Sequence, residues 1–362
     1  MNLLSPRSLE AAAANLPRVV GGGIADLRPM PRTMIDHGPQ RALYRYEPAP
    51  GVAPAGPPVL LVPPLAAPAL CFDLRRGCSL VEHLVQGGRP TYLVDYGRIA
   101  FSDRALGIEH WVTDVVPAAA RAVRRDSGRR PILVGWSLGG IFTLFAAASN
   151  QRLPVAGVAA IGTPFDITRV PLVAPMRPLV NLTGGRILTT AYRLLGGAPA
   201  PLVKRAFQLT SADKYLTKPI AILTRLDDTD FLAQLEAVDR FTDRMLAYPG
   251  RTFGQLYHRL FRTNSLAEGR LRIGGRELDV ADVRVPVLVI AGNDDVLAPR
   301  DAVHHVTYLL TGSPFVDYHR APGGHLGVLT GRRARGTTWR HLDRFIDRLA
   351  EKPGRGKTPR PV

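Results

Sequence analysis

Short runs of consecutive apolar residues recur along the chain, and amphipathic stretches separate them. Uninterrupted Val, Leu and Ile runs are typical of strands buried on both faces of a parallel sheet, whereas apolar residues at every third or fourth position indicate helices. The alternation predicts an α/β fold with a mostly parallel central sheet and helices on both faces. The predicted strands are residues 59–62, 91–94, 131–134, 155–161, 286–290 and 315–318.

The helical patterns divide the chain into a core and an insertion. The segment from 164 to 272 is too long for a loop, and its helical patterns predict a mainly helical cap over the site. An Ala-rich stretch near the start predicts a short helix in an N-terminal arm, and the Lys/Arg/Pro/Gly-rich end is typical of disorder. The predicted helices are 8–15, 79–86, 108–125 with a kink at Pro117, 230–246, 252–261, 300–310 and 338–350, and the predicted units are the arm 1–40, the core 41–163 and 273–351, the cap 164–272 and the tail 352–362.

The sequence Gly135-Trp136-Ser137-Leu138-Gly139 lies between a predicted strand and a helix-like run. Small residues around a Ser allow the sharp turn that raises its hydroxyl above the sheet, as a nucleophile elbow requires. The pentapeptide is weak on its own, because this chain is rich in Gly. Its position between strand and helix makes Ser137 the candidate nucleophile of an acyl-transferring enzyme.

A nucleophilic Ser needs a base and an acid, which follow it in the order acid then His in this type of fold. Asp295 follows the strand that ends at Ile290, and His325 lies in the Gly-rich loop after the last predicted strand. Asp294 is the rival acid, and the residues themselves do not exclude it. Six other His residues are interpreted as surface or packing groups: His37, His83, His110, His258, His304 and His305. Three other carboxylates near strand ends are interpreted as cap or turn residues: Asp73, Asp95 and Asp166.

Several motifs resemble those of polyhydroxyalkanoate synthases, and they occur in the same order over residues 58–330. The resemblance implies an α/β-hydrolase fold with a cap inserted before the acid strand, and a triad of Ser137, Asp295 and His325, with Asp295 preferred because it directly precedes an apolar segment. The motifs are Pro63-Pro64-Leu65-Ala66, Phe72-Asp73-Leu74, Ser79-Leu80, Val94-Asp95-Tyr96-Gly97, Gly135 to Gly140, Gly162-Thr163-Pro164-Phe165-Asp166, Asp227-Asp228, Tyr257 to Asn264 with Leu266, Gly274-Gly275-Arg276 with Leu278-Asp279, Val285-Pro286-Val287, Asp295 and Gly324-His325.

The nucleophile departs from this family, whose members use Cys where this chain has Ser137. A thioester exchanges with another thioester at little energetic cost, whereas a serine ester lies below its thioester donor in free energy. We therefore expect an esterase, lipase, thioesterase or acyltransferase, with two alternatives: a polymerising synthase and a catalytically silent synthase-like subunit. The expected oxyanion donors are the backbone N–H of Leu138 and that of Leu65 or Ala66.

The composition limits the classes of partner that the chain is expected to bind, and it leaves the predicted fold and activity unchanged. The net charge is +17, and 42 Arg against 5 Lys are spread along the chain rather than gathered on one helix. This spread argues against nucleic-acid binding. The expected partners are a small ester or acyl-CoA, with a lipid-inclusion or membrane surface and a second copy of the chain as further hypotheses. No cofactor or metal is expected.

The same composition bears on location. Two Cys and no secretory-type start favour a reducing cytoplasm, with peripheral attachment to membranes or lipid inclusions as a further hypothesis. The sequence contains no run of 18 consecutive apolar residues, so no membrane-spanning helix is predicted.

Overall fold

The computed structural model describes residues 6–170, 196–209 and 212–350. Its main feature is an eight-stranded sheet with the order β1-β2-β4-β3-β5-β6-β11-β12. The last six strands in this order pair in parallel, and the first two pair antiparallel with their neighbours. The strands of this sheet are β1 Arg32–Gly38, β2 Arg41–Tyr46, β3 Val59–Val62, β4 Thr91–Asp95, β5 Ile132–Trp136, β6 Gly157–Ile161, β11 Val287–Gly292 and β12 Val316–Ala321.

Both faces of the parallel region are buried, which explains the unbroken apolar runs. Successive side chains of a strand point to opposite faces. Leu60 and Val62 therefore join one hydrophobic cluster, while Val59 and Leu61 join the other. The predicted mostly parallel sheet covered on two sides is confirmed, and the carboxyl ends of its parallel strands meet at one edge.

Helices cover the two faces and position the loops at that edge. Ser79 caps α2 by accepting a hydrogen bond from the N–H of Glu82, and Pro117 lies in the first turn of α3, after a π-helical segment at His110–Val115. Pro is tolerated there because the first N–H groups of a helix have no partner within it. The core helices are α2 Leu80–Gln86, α3 Val116–Ser127, α4 Leu138–Ser149, α9 Arg300–His304, α10 Val306–Leu309, α11 Gly327–Thr330 and α12 Thr338–Ala350.

The N-terminal segment differs from the predicted arm. Helix α1, Pro6–Gly21, is longer than the predicted 8–15, and β1 lies within residues 1–40 yet belongs to the main sheet. The strand was missed because this edge segment is largely exposed and carries no apolar run. The segment between α1 and β1 is attached to the cap, since the Glu236 carboxylate accepts the backbone N–H groups of residues 23–25 at 2.8 to 2.9 Å.

The described part of the predicted cap is mainly helical. Residues 171–195 and 210–211 of this insertion, and the predicted tail, lie outside the described residues. A hairpin of β9 Arg270–Ile273 and β10 Arg276–Asp279 crosses the predicted cap boundary. The other cap elements are β7 Gly197–Ala198 paired with β8 Tyr248–Pro249, and helices α5 Ala200–Leu209, α6 Ala212–Leu223, α7 Thr229–Asp243 and α8 Gly250–Leu256. Within the described ranges, no helix combines the length and apolarity needed to cross a bilayer.

Candidate active site

Ser137 occupies the turn between β5 and α4 in a strained backbone conformation. Its φ of 54° and ψ of −123° lie outside the regions that ordinary residues favour. Neighbouring glycines allow this turn to pack closely: a Cβ at Gly135 would lie 2.5 Å from the carbonyl oxygen of Gly139, and one at Gly139 would collide with the carbonyl oxygen of Val62. The turn therefore fixes Ser137 at the carboxyl edge of the sheet.

His325 contacts Ser137 although the two residues are far apart in sequence. The ring Nε2 lies 2.9 Å from Ser137 Oγ, and Nδ1 lies 2.8 Å from Asp295 Oδ2. A carboxylate only accepts hydrogen bonds, so Nδ1 carries the proton and Nε2 is left to accept from the hydroxyl. The His325 side chain is 10% exposed and that of Asp295 is fully buried.

The two adjacent carboxylates have different environments. The second oxygen of Asp295 accepts the backbone N–H groups of Leu297 and Ala298, at 2.9 and 2.8 Å. These bonds hold the buried carboxylate with its other oxygen toward the imidazole. Asp294 is exposed, and its own backbone N–H donates to the carbonyl of Gly323 at 3.1 Å. The geometry therefore favours Asp295 over Asp294 as the partner of His325.

Backbone N–H groups near Ser137 offer a place for a developing oxyanion. Leu138 is the first residue of α4, and the first N–H groups of a helix have no partner within it. The loop after β3 contains Leu65 and Ala66, both buried, and Ala66 has a φ of 67°. The backbone N–H of Leu246, just after α7, donates to the Ala66 carbonyl at 2.7 Å and fixes this peptide. Both predicted donor segments lie against the elbow, because Gly139 packs on the carbonyls of Val62 and Pro63.

The other strand-end carboxylates have local partners. Asp73 accepts hydrogen bonds from the Ser79 hydroxyl and the Met30 N–H, and Asp95 accepts one from the N–H of Gly97. Asp166 lies where the chain enters the cap and binds the side chains of Thr168, Arg169 and Asn264. His83 and His110 approach nearby Asp residues at the surface, and His305 contacts the Ala267 carbonyl.

Trp136 is a part of the site that sequence reasoning did not single out. Its indole N–H donates to the backbone carbonyl of His325 at 3.0 Å, and the two rings have centroids 5.0 Å apart. The side chain is 1% exposed. The elbow motif shows a Trp before the Ser, but it contains no signal of an acceptor so far along the chain.

A cavity of about 660 Å³ lies between the cap and the segment after β4. Arg104, Arg251 and Arg259 line it, and Arg259 also borders a narrow apolar pocket that reaches Leu138. Neither cavity is lined by Ser137 or His325; the apolar pocket reaches the residue after the nucleophile, Leu138, and shares Arg259 with the larger cavity. The other residues around the apolar pocket are Ile108, Ile141, Phe142, Leu256, Leu266 and Leu271.

The larger cavity has a positive lining. Arg251 pairs with Glu109, while Arg104 packs over the Phe101 ring at 4.5 Å. Burial and the neighbouring Arg272 lower the pKa of Arg259, against the opposing effect of Glu109 and Glu277. The lining of the larger cavity is thus suited to an anionic group, whereas the apolar pocket beside Leu138, with a volume of about 10 Å³, is too small for an acyl chain.

Comparison with known proteins places these features in a family. A model described as the alpha/beta hydrolase fold matches residues 57–331, and the chain belongs to this family. It is an enzyme of the α/β-hydrolase superfamily. The predicted fold class is therefore confirmed.

Two curated relatives resemble this chain over most of its length. Both are described as poly(3-hydroxyalkanoate) polymerase subunit PhaC. The protein from Allochromatium vinosum is 27% identical over 345 residues, which cover 91% of this chain and 94% of the relative. The protein from Haloferax mediterranei is 25% identical over 306 residues, which cover 83% of this chain and 61% of that longer relative. The resemblance to polyhydroxyalkanoate synthases drawn from the motifs is confirmed.

Solved structures resemble the chain in fold alone. A thermostable carboxyl esterase from Bacillus coagulans has a TM-score of 0.56 and 16% identity, with 89% of this chain and 99% of the esterase covered. A monoacylglycerol lipase from Paleococcus ferrophilus has a TM-score of 0.51 and 16% identity, with coverage of 85% and 99%.

Proposed function

We propose that this protein is a serine-dependent acyl enzyme that acts on lipid-like or hydroxyacyl esters through Ser137, His325 and Asp295. The observation that supports this most directly is the continuous set of hydrogen bonds from the Ser137 hydroxyl to His325 and from His325 to the buried Asp295. Such a set activates a hydroxyl, which is a weak nucleophile by itself.

In the first half of the reaction, Ser137 Oγ attacks the acyl carbonyl carbon while its proton moves to His325 Nε2. Asp295 stabilises the resulting imidazolium and does not itself take the proton. The N–H of Leu138 and one from the Leu65–Ala66 loop donate to the oxyanion, each contributing about 3 kcal/mol to lowering the barrier. The bond to the leaving group then breaks, and His325 gives its proton to the departing oxygen or sulfur.

The second half of the reaction releases the acyl group from Ser137. Water or an alcohol loses a proton to His325 and attacks the ester carbonyl, and the imidazolium returns a proton to Ser137 Oγ. Water gives hydrolysis and an alcohol gives transfer. The arginine-lined cavity suits a phosphate-bearing leaving group such as that of an acyl-CoA.

Polymer synthesis from hydroxyacyl-CoA is the second candidate function. It is supported by the curated relatives described as polyhydroxyalkanoate polymerase subunits, whose identity to this chain is about a quarter. Under this alternative, the attacking alcohol is the hydroxyl end of another hydroxyacyl unit. A catalytically silent subunit is the third outcome, in which Ser137 forms no acyl intermediate.

Covalent labelling tests the proposal at the residue it depends on. We expect a fluorophosphonate to add to Ser137, as located by mass spectrometry, and Ser137→Ala to abolish labelling. The same variant should lower the kcat for a p-nitrophenyl acyl ester by at least about 10⁴-fold, because the triad acts as a unit. Full hydrolysis by the alanine variant would remove Ser137 from the mechanism, and a parent protein that neither labels nor turns over would favour the silent subunit.

A further inference from the structure

We infer that Trp136 is a positioning residue for His325, acting through the hydrogen bond from its indole N–H to the His325 backbone carbonyl. This inference rests on the proposed function, because it concerns how the base is held. Trp136 Nε1 lies 3.0 Å from that oxygen, although the residues are 189 positions apart. The bond ties the strand that ends at the nucleophile to the loop that carries the base.

The indole is held rigidly enough to transmit this restraint. Trp136 is the last residue of β5 and is 1% exposed. The Phe241 ring of cap helix α7 packs edge-on against the indole, with ring centroids 6.2 Å apart. The following residue, Ser137, donates its own backbone N–H to the Ile161 carbonyl at 2.9 Å. Nucleophile and indole therefore share one fixed backbone.

The loop around His325 needs such a restraint. Gly323, two residues earlier, has a φ of 119°, and the turn after His325 is closed by the Val328 N–H, which donates to the Gly324 carbonyl at 2.8 Å. The triad contacts fix the imidazole ring, whereas the Trp136 bond fixes the backbone from which the ring projects. Small displacements of a catalytic group lower the rate without loss of binding.

Gly162 is a packing neighbour of both the indole and the acid. A Cβ at this position would lie 3.6 Å from Trp136 Nε1 and 3.5 Å from Asp295 Oδ2, so the glycine borders both groups. The indole is therefore packed by Gly162 and by the Phe241 ring as well as bonded to the His325 backbone. A substitution that keeps an aromatic ring here is needed to separate the hydrogen bond from the packing.

The decisive variant is Trp136→Phe, and Trp339→Phe is its matched control. Trp339 is also buried, and its indole N–H donates to the Leu329 carbonyl at 2.8 Å, in the segment that follows His325. For Trp136→Phe we expect kcat for a p-nitrophenyl ester to fall about tenfold with KM changed less than about twofold, because misplacement affects the reacting geometry. The control should keep kcat within about twofold.

Proton NMR supplies a readout that is independent of turnover. The buried His325 Nδ1–H should give a low-field resonance, assigned by its absence in His325→Gln. It should broaden or disappear in Trp136→Phe and persist in Trp339→Phe. If Trp136→Phe does not fold, replacement of Trp136 by β-(3-benzothienyl)alanine keeps the ring shape and removes only the N–H donor.

Equal kcat values and equal resonances in the two Phe variants would overturn the inference, and so would equal losses in both. A parent protein that neither labels with a fluorophosphonate nor turns over an acyl ester would instead refute the proposed function. The resonance alone then decides whether Trp136 positions His325.

Discussion

The core edge and the cap attachment are built by different kinds of interaction. At the core edge, Ser137 and Asp295 are held by backbone turns and backbone N–H groups on a sheet whose strands are buried on both sides. The attachment of the cap through α7 depends more on side chains: Asp230 pairs with Arg75, Arg332 and Arg335. Phe241 also packs against Trp136, beside backbone bonds such as that from Leu246 to Ala66. A side-chain substitution leaves a backbone hydrogen bond in place, whereas it can remove a single charged contact.

The two regions meet different requirements of an enzyme: precise positioning of the reacting groups, and access of the substrate to them. Chemistry requires groups fixed within a fraction of an ångström, and the core edge supplies that precision. Access requires a cover that can be loosened, and charged contacts that are partly open to water contribute little each to stability. Substitutions at the core edge should therefore lower kcat by large factors, and substitutions at the cap attachment should change stability and KM by small ones.

The largest expected effect among the carboxylates belongs to Asp295. Asp295→Asn should lower kcat about 10⁴-fold, because an amide at this position supports the wrong imidazole tautomer. Asp294→Asn is the matched control, since it makes the same chemical change at the neighbouring, exposed residue. Steady-state hydrolysis of a p-nitrophenyl ester measures both, and the reverse pattern would assign the acid role to Asp294.

A smaller effect, in opposite directions for two substrates, is expected from Ser137→Cys. A thiolate paired with His325 exchanges readily with thioesters, so the variant should form more acyl-enzyme from hydroxybutyryl-CoA than the parent does. The parent should retain the advantage on oxygen esters. A paired assay of coenzyme A release and polymer formation measures the change.

Comparable polymer synthesis by the unmodified Ser137 protein would reject hydrolysis or simple transfer in favour of the polymerase alternative. Comparable coenzyme A release without polymer would instead identify a thioesterase.

Local patterns predicted the interior of the fold well. The strand at 59–62 and the closing helix at 338–350 coincide with β3 and α12, because a continuous apolar run or a strong helical period is a local property. The sequence also places Asp295 and His325 after two strands that prove to be neighbours, which explains their proximity.

Features that depend on distant contacts were not predicted. Strand β1 is an exposed edge strand defined by its pairing with β2, and the predicted helix at 300–310 divides into α9 and α10. The bond from Trp136 to the His325 carbonyl is visible only once β5 and the loop after β12 are side by side. A contact between residues so far apart in the chain produces no periodic pattern of apolar residues in the sequence.

The smallest expected effect concerns Asp166, which joins the entrance and exit of the cap. Burial tends to raise the pKa of this carboxyl, but hydrogen bonds from Thr168, Arg169 and Asn264 outweigh it and lower the pKa to about 2, from 3.8. Asp166→Asn should lower the free energy of unfolding at pH 7 by about 2 kcal/mol, since bonds to a charged acceptor are lost. Urea denaturation measures this loss.

The pH dependence of that loss follows from the sign of the shift. A lowered folded-state pKa stabilises the protein fully above the unfolded value of 3.8, and the contribution disappears as the pH falls toward 2. The difference between parent and Asp166→Asn should therefore be constant from pH 7 to about 5 and shrink between about pH 4 and 2. Asp282→Asn, at an exposed ion pair with Arg284, is the control and should change the unfolding free energy by less than about 0.5 kcal/mol. A difference between parent and Asp166→Asn that stays unchanged down to pH 2 would show that the cap attachment does not depend on the charge of Asp166.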